Sequence, residues 1–98
     1  MIPDNLLKPI THFIWDGHNL TKIWVKHKVD ARECEQVFSD PQIQFAMNAV
    51  RESKEERWAV IGKTSQKREL LVVFAIRGQG IRVISARPMS RKERRKYG

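Results

Sequence analysis

Cysteine occurs once in this chain, at position 34, so no disulfide can form within it. Its neighbours Glu33 and Glu35 raise the thiol pKa rather than activate it, which makes Cys34 an inert residue. Metal-ligand spacing is also missing. His12, His18, His27 and Cys34 show neither the CxxC nor the HxxxH pattern that places ligands on one face, so no metal is expected. The five glycines form no phosphate loop or dinucleotide fingerprint; RGQG at 77–80 reads as a hairpin turn, and no nucleotide cofactor is expected. No apolar run nears the roughly 20 residues needed to cross a bilayer. The opening MIPDNLLKPITH lacks the charged start and long apolar stretch of a signal peptide, so the expected location is cytoplasmic, with no membrane partner. Repeats and low-complexity linkers are absent too. A length of 98 residues accommodates one domain, 1–98, with one modest core.

Acidic residues are scarce in one particular place. Arg77 to Gly98 contain a single acid, Glu93, against eight Lys/Arg, and so carry +7 of the formal +8. Met1 to Ile76, with eleven bases and ten acids, are nearly neutral. Charge this concentrated calls for an anionic partner, of which polyphosphate is the commonest, unless the block is only a solvated tail.

Local patterns give the order of elements. Thr11 to Trp15 read as an edge strand, and Asp16 is placed to cap a helix over HNLTKIWVKH. One apolar stripe in that helix, through Leu20, Ile23 or Trp24, and His27, ends at Lys26-His27. Asp30 with Glu33 has capping-box spacing and opens a second helix, whose stripe is Ala31, Cys34, Val37 and Phe38 and which stops near Asp40-Pro41. Ile43, Phe45 and Met47 alternate as in a half-buried strand, and AVRESKEE (49–56) reads as a charged loop. Arg57 to Lys63, Leu70 to Ile76 and Ile81 to Arg87 then read as strands joined by short hairpins, the middle one central because it is apolar on both faces. Ser90 with Glu93 forms another capping box ahead of a marginal helix, SRKERRKY. The expected fold is α+β: two N-terminal helices packed on a twisted antiparallel sheet, with a short C-terminal helix. Residues 83–98 form the basic strand end and that helix.

Chemistry in such a chain rests on cations acting on phosphate. Strict alternation along IRVISAR puts Ile81, Val83, Ser85 and Arg87 on one side and Arg82, Ile84 and Ala86 on the other. Arg87 would then join Ser85 and the helix cations Arg91, Arg94 and Arg95 in a phosphate pocket whose guanidinium forks match phosphate oxygens. Metal-free RNA cleavage needs a base for the 2′-hydroxyl, an acid for the leaving oxygen and positive charge at the phosphorane. His27 is the titratable candidate and Lys26 an electrostatic one, although a helix C-terminus also favours cations for its own dipole. Glu93 reads either as a capping residue or as a catalytic one, and Tyr97 either as a packing residue or as a platform for a base.

At FIWDGHN, KHKV followed by ECEQVFSDP, RWAVIG and RVISARPMSRKERRKY, the chain resembles, in order and spacing, the BrnT family of type II toxins. The resemblance spans Phe13 to Tyr97 and is most specific in the C-terminal block. It implies a RelE/ParE-like fold, a metal-independent endoribonuclease that stops translation, no cofactor, and neutralisation by a BrnA-type antitoxin, with DNA contacted only through the antitoxin complex. Carried over by position, it points to Trp15-Asp16, Lys26-His27, Arg82, Ser85, Arg87, Arg91, Glu93 and Tyr97. In the mechanism it suggests, His27 or a nearby group activates the 2′-hydroxyl, Lys26, Arg82 and Arg87 hold the scissile phosphate, and Tyr97 stacks a base. Lys28 stands where the family commonly has glycine. The rival reading is a non-catalytic basic module that binds nucleic acid and a protein partner.

Overall fold

The computed structural model describes residues 10–51 and 56–97, with side chains at 10–46 and 57–97. The elements run β1 (His12–Ile14), α1 (Gly17–His27), α2 (Ala31–Phe38), β2 (Gln44–Arg51), β3 (Glu56–Lys63), β4 (Glu69–Arg77), β5 (Gly80–Pro88) and α3 (Arg91–Tyr97). The stretch 49–56 is less of a loop than its charge suggests. Strands reach in to Arg51 and out again from Glu56, and 52–55 lie outside the described residues.

The sheet order is β1-β5-β4-β3-β2. Strands β2 to β5 form the expected antiparallel meander with β4 in the centre, but β1 lies parallel to β5, so the sheet is mixed. Short hairpins can only join antiparallel neighbours, whereas two helices separate β1 from the meander and allow it to return beside the last strand in the same direction.

Both helices cover one face. Ile23 of α1 and Cys34 and Val37 of α2 are buried with Val60, Leu70, Val72, Phe74, Ile81, Val83 and Ala86, and this cluster is the main core. The capping predicted for both helices is present. Asp16 accepts from the His18 amide, and Asp30 and Glu33 bond each other's backbone amides. In α1 the buried residue is Ile23, while Trp24 and Val25 are exposed. Lys28 takes the left-handed conformation at the end of α1 (φ 53°), the position where glycine costs least, and its ammonium lies 5.2 Å from the Trp24 ring centre. Arg68 ties the two helices together. Its guanidinium donates to the carbonyls of His27 and Lys28, left without partners at the helix end, and also pairs with Glu33 at 3.0 Å.

A smaller cluster covers part of the opposite face, where Ala46, Ala59, Ile61, Leu71 and Met89 pack with Val73 and Tyr97. The C-terminal segment thus supplies the second cover that a doubly apolar β4 requires. Helix α3 opens with the predicted capping box, the Ser90 amide donating to Glu93 and the Glu93 amide to Ser90. Seven residues make a marginal helix alone. Tyr97 anchors this one, its hydroxyl donating to the Ala46 carbonyl and its own carbonyl accepting from Gln44.

One irregularity overturns the alternation read for β5. Val73 of β4 pairs with Ser85, but the next residue, Phe74, pairs with Val83, so Ile84 is an extra residue in a β-bulge. The bulge resets the phase. Val83 and Ala86, three apart, both enter the main core. Arg82 and Arg87 therefore lie on the same face, not on opposite faces as strict alternation requires, and Ser85 lies with them. Ile81 and Val83, expected beside Ser85 and Arg87, point to the helices instead. The side chain of Asn19 donates to the carbonyl of Val83 at 3.3 Å, a backbone acceptor next to the interruption of the ladder.

Candidate nucleic-acid interface on the sheet face opposite the helices

Register settles which side chains share this face. Arg87 pairs with Leu71, Ser85 with Val73, Arg82 with Ala75, and Gly80 with Arg77. Leu71 and Val73 belong to the smaller cluster, so the other residues at this phase of β4, Ala75 and Arg77, face the same way, and their β5 partners with them. On β3, Ala59 pairs with Val73, which puts Arg57, two residues earlier, on the same side. Arg57, Arg77, Arg82 and Arg87 thus come from three adjacent strands onto one surface, with Ser85 among them. Strand β1 adds His12 and Ile14 at the levels of Gly80 and Arg82. Sequence reading missed Arg57, Arg77 and His12. The period of two through Leu71, Val73 and Ala75 is the signal that places Arg77, but only register brings His12 and Arg57 to it.

Two of the arginines are held by carboxylates at helix N-termini. Asp16 caps α1 through one oxygen and approaches Arg82 Nη2 with the other, at 3.7 Å. Glu93 caps α3 and accepts two parallel bonds from Arg87, 2.8 Å from Nη1 and 2.7 Å from Nη2. That bidentate pair, with help from the Ser90 amide, holds the Glu93 carboxyl down at about 2, and the same bonds push the Arg87 guanidinium further up. A carboxylate so stabilised is a weak proton acceptor. Glu93 is built to orient Arg87.

The other candidates are distributed as follows. Arg94 pairs with Glu69 at 3.1 Å, and Arg91 and Arg95 are exposed on α3. Tyr97 is half-buried and its hydroxyl is engaged by Ala46. Lys26 and His27 end α1, which packs on the other face of the sheet, at the opposite end of that helix from Asp16 and Arg82. Trp15 donates its indole N–H to Glu35 at 2.8 Å and joins the start of α1 to α2. Cys34 is fully buried, and that burial, followed by Glu33, Asp30 and Glu35, pushes its thiol up to about 12. No cluster of three or more His, Cys, Asp or Glu suited to a metal is gathered among the described residues.

The family model for "Ribonuclease toxin, BrnT, of type II toxin-antitoxin system" matches residues 15–93. The chain belongs to the BrnT family. It is thus a ribonuclease toxin of a type II toxin-antitoxin system, which makes RNA its substrate and an antitoxin its partner. The matched span holds Arg57, Arg77, Arg82, Ser85, Arg87 and Glu93, and begins after His12. No curated protein matches the chain. Among solved structures it is similar to the ribonuclease toxin BrnT of Brucella abortus, with a TM-score of 0.60 and 21% identity over 83% of this chain and 99% of that one. At this identity the likeness shows the BrnT fold alone. No helix among the described residues is long and apolar enough to cross a membrane.

Proposed function

We propose that this BrnT-family chain is a metal-independent endoribonuclease with a RelE/ParE-like fold, acting in the cytoplasm on RNA laid across the sheet face opposite α1 and α2. The observation that carries this reading is the bulge at Ile84, which turns Arg82, Ser85 and Arg87 to one side. Guanidinium groups in a row match phosphate oxygens and supply, without a metal ion, the positive charge that a phosphorane needs. Arg82 and Arg87 hold the scissile phosphate, and Ser85 adds a hydroxyl donor between them. Arg91 and Arg95 extend the cationic surface along α3. The 2′-oxygen attacks phosphorus in line, leaving a cyclic phosphate and a 5′-hydroxyl.

A BrnA-type antitoxin silences the enzyme by covering part of Arg87 to Tyr97, where the cationic face meets α3. It reaches DNA as a complex with the toxin.

The test is folded protein, freed of antitoxin, incubated with RNA in EDTA. Fragments ending in cyclic phosphate are expected. RNA that is bound but left intact would refute cleavage and favour a non-catalytic binding module.

A further inference from the structure

The arginine face has charge but, with Lys26 and His27 at the far end of α1 and Glu93 a weak base, lacks an obvious group to take the proton from the 2′-hydroxyl. His12 fills that place by position. It pairs in register with Gly80, whose other neighbour is Arg77, and Arg82 lies two residues along β5, about 7 Å away at strand rise. Gly80 is what lets it lean inward. A Cβ built there would meet His12 Nε2 at 2.7 Å and Ile14 Cδ1 at 2.6 Å, so both side chains lie over the bare backbone of β5.

A neighbouring hydroxyl orients the ring. The Thr11 hydroxyl lies 2.9 Å from His12 Nδ1 and donates to the Gln79 carbonyl at 3.4 Å. With the Thr11 proton on that carbonyl, Oγ1 accepts from Nδ1–H and the nitrogen over Gly80, Nε2, is the one with the lone pair, the tautomer the proposal uses. A base oriented by a second group is the usual arrangement in acid–base catalysis.

Resting on the ribonuclease reading above, we propose that His12 is a catalytic residue of this chain, the general base for RNA cleavage, with Thr11 as its positioning residue. In the step, Nε2 takes the 2′-hydroxyl proton as the 2′-oxygen bonds to phosphorus. The bond from phosphorus to the 5′-oxygen breaks, and that oxygen takes a proton from water. Arg82, which the Asp16 carboxylate approaches at 3.7 Å, holds the reacting phosphate together with Arg87 as above, and Arg77 adds positive charge at the level of Gly80. His12 precedes the family-matched span, so the assignment rests on the geometry of this chain alone.

The experiment compares His12→Ala, Thr11→Val and, as a surface control, His18→Ala, by single-turnover cleavage of a short RNA and by its affinity under non-cleaving conditions. His12→Ala is expected to cleave about 100-fold or more slowly. Its RNA affinity should stay within about threefold. Added imidazole should restore a good part of the rate by entering the space the ring has left. Thr11→Val should fall between wild type and His12→Ala, with His18→Ala unchanged. Wild-type cleavage by His12→Ala, a loss of affinity parallel to the loss of rate, or no response to imidazole would each overturn the assignment. A wild-type protein that binds RNA without cutting it would instead overturn the ribonuclease reading on which the proposal rests.

Discussion

Replacing Glu93 by glutamine isolates the charge that organises the C-terminal segment. Glutamine keeps the shape and can still accept from the Ser90 amide, so the capping box survives while the ionic part of the Arg87 pair is lost. A carboxyl brought from 4.5 to about 2 corresponds to at most about 3 kcal/mol of folded-state preference for the charged form. The Arg87 side chain is 40% exposed, and solvent screening reduces the expected effect to about 1–2 kcal/mol. The sign follows from the lowered value. The contribution is fully present above the unfolded carboxyl's 4.5 and is lost as pH falls from there towards 2. Urea unfolding of wild type and Glu93→Gln at a series of pH values is the assay. Wild type should lead by about 1–2 kcal/mol near neutrality and lose the lead progressively below pH 4.5. In a cycle with Arg87→Gln, the coupling should account for most of that lead. A lead that is absent at neutral pH, or that persists unchanged in acid, would refute the argument.

Arg82→Ala and Arg87→Ala should each lower the slope of log affinity against log salt for RNA by about one, while Arg68→Ala, whose guanidinium joins α1 to α2, should leave that slope unchanged. At the left-handed Lys28, glycine should be more stable than alanine by about 1 kcal/mol in thermal or urea unfolding, since both lose the contact with Trp24 and only alanine keeps the strain. Cys34, with its thiol pushed up to about 12 and fully buried, should react with a thiol reagent only in denaturant. Rapid labelling of the native protein would contradict that burial.

What could be read in the sequence was local. Asp16, Asp30 with Glu33, and Ser90 with Glu93 each satisfy backbone amides within three residues, so spacing alone exposes these helix starts. The strands β3, β4 and β5 announced themselves by composition and short hairpins. What stayed hidden depends on pairing partners. The parallel return of β1 beside β5 joins residues nearly 70 positions apart, Ile14 with Arg82, and nothing in His12–Ile14 encodes it. A bulge is an extra residue counted against a neighbouring strand, and Ile84 looks like any other apolar residue until β4 is laid beside it. That single residue decides the reading of the site. Without it Arg82 would face the helices and the cationic surface would be divided. The same dependence on register explains why a histidine on a recognisable helix, His27, stood out while His12, on a three-residue strand, did not.

The two held arginines also bear on how a basic toxin can carry charge without scattering it. Of the five N–H donors on Arg87, three are committed, two to Glu93 and one to the Pro88 carbonyl, which leaves two for a phosphate. Glu93 fixes the plane of the guanidinium before RNA arrives, so the ordering cost of a long side chain is met in folding rather than in binding. Asp16 stands in a similar relation to Arg82, and both carboxylates already have a reason to be present as helix caps. An acid that starts a helix and also aims an arginine couples the geometry of the cationic face to folding. Substitution at Glu93 should therefore lower stability and cleavage together, whereas substitution of exposed Arg91 should affect RNA binding alone. Measuring unfolding and single-turnover cleavage on the same two variants separates these roles, and an Arg91→Ala protein that lost stability as Glu93→Gln does would defeat the distinction.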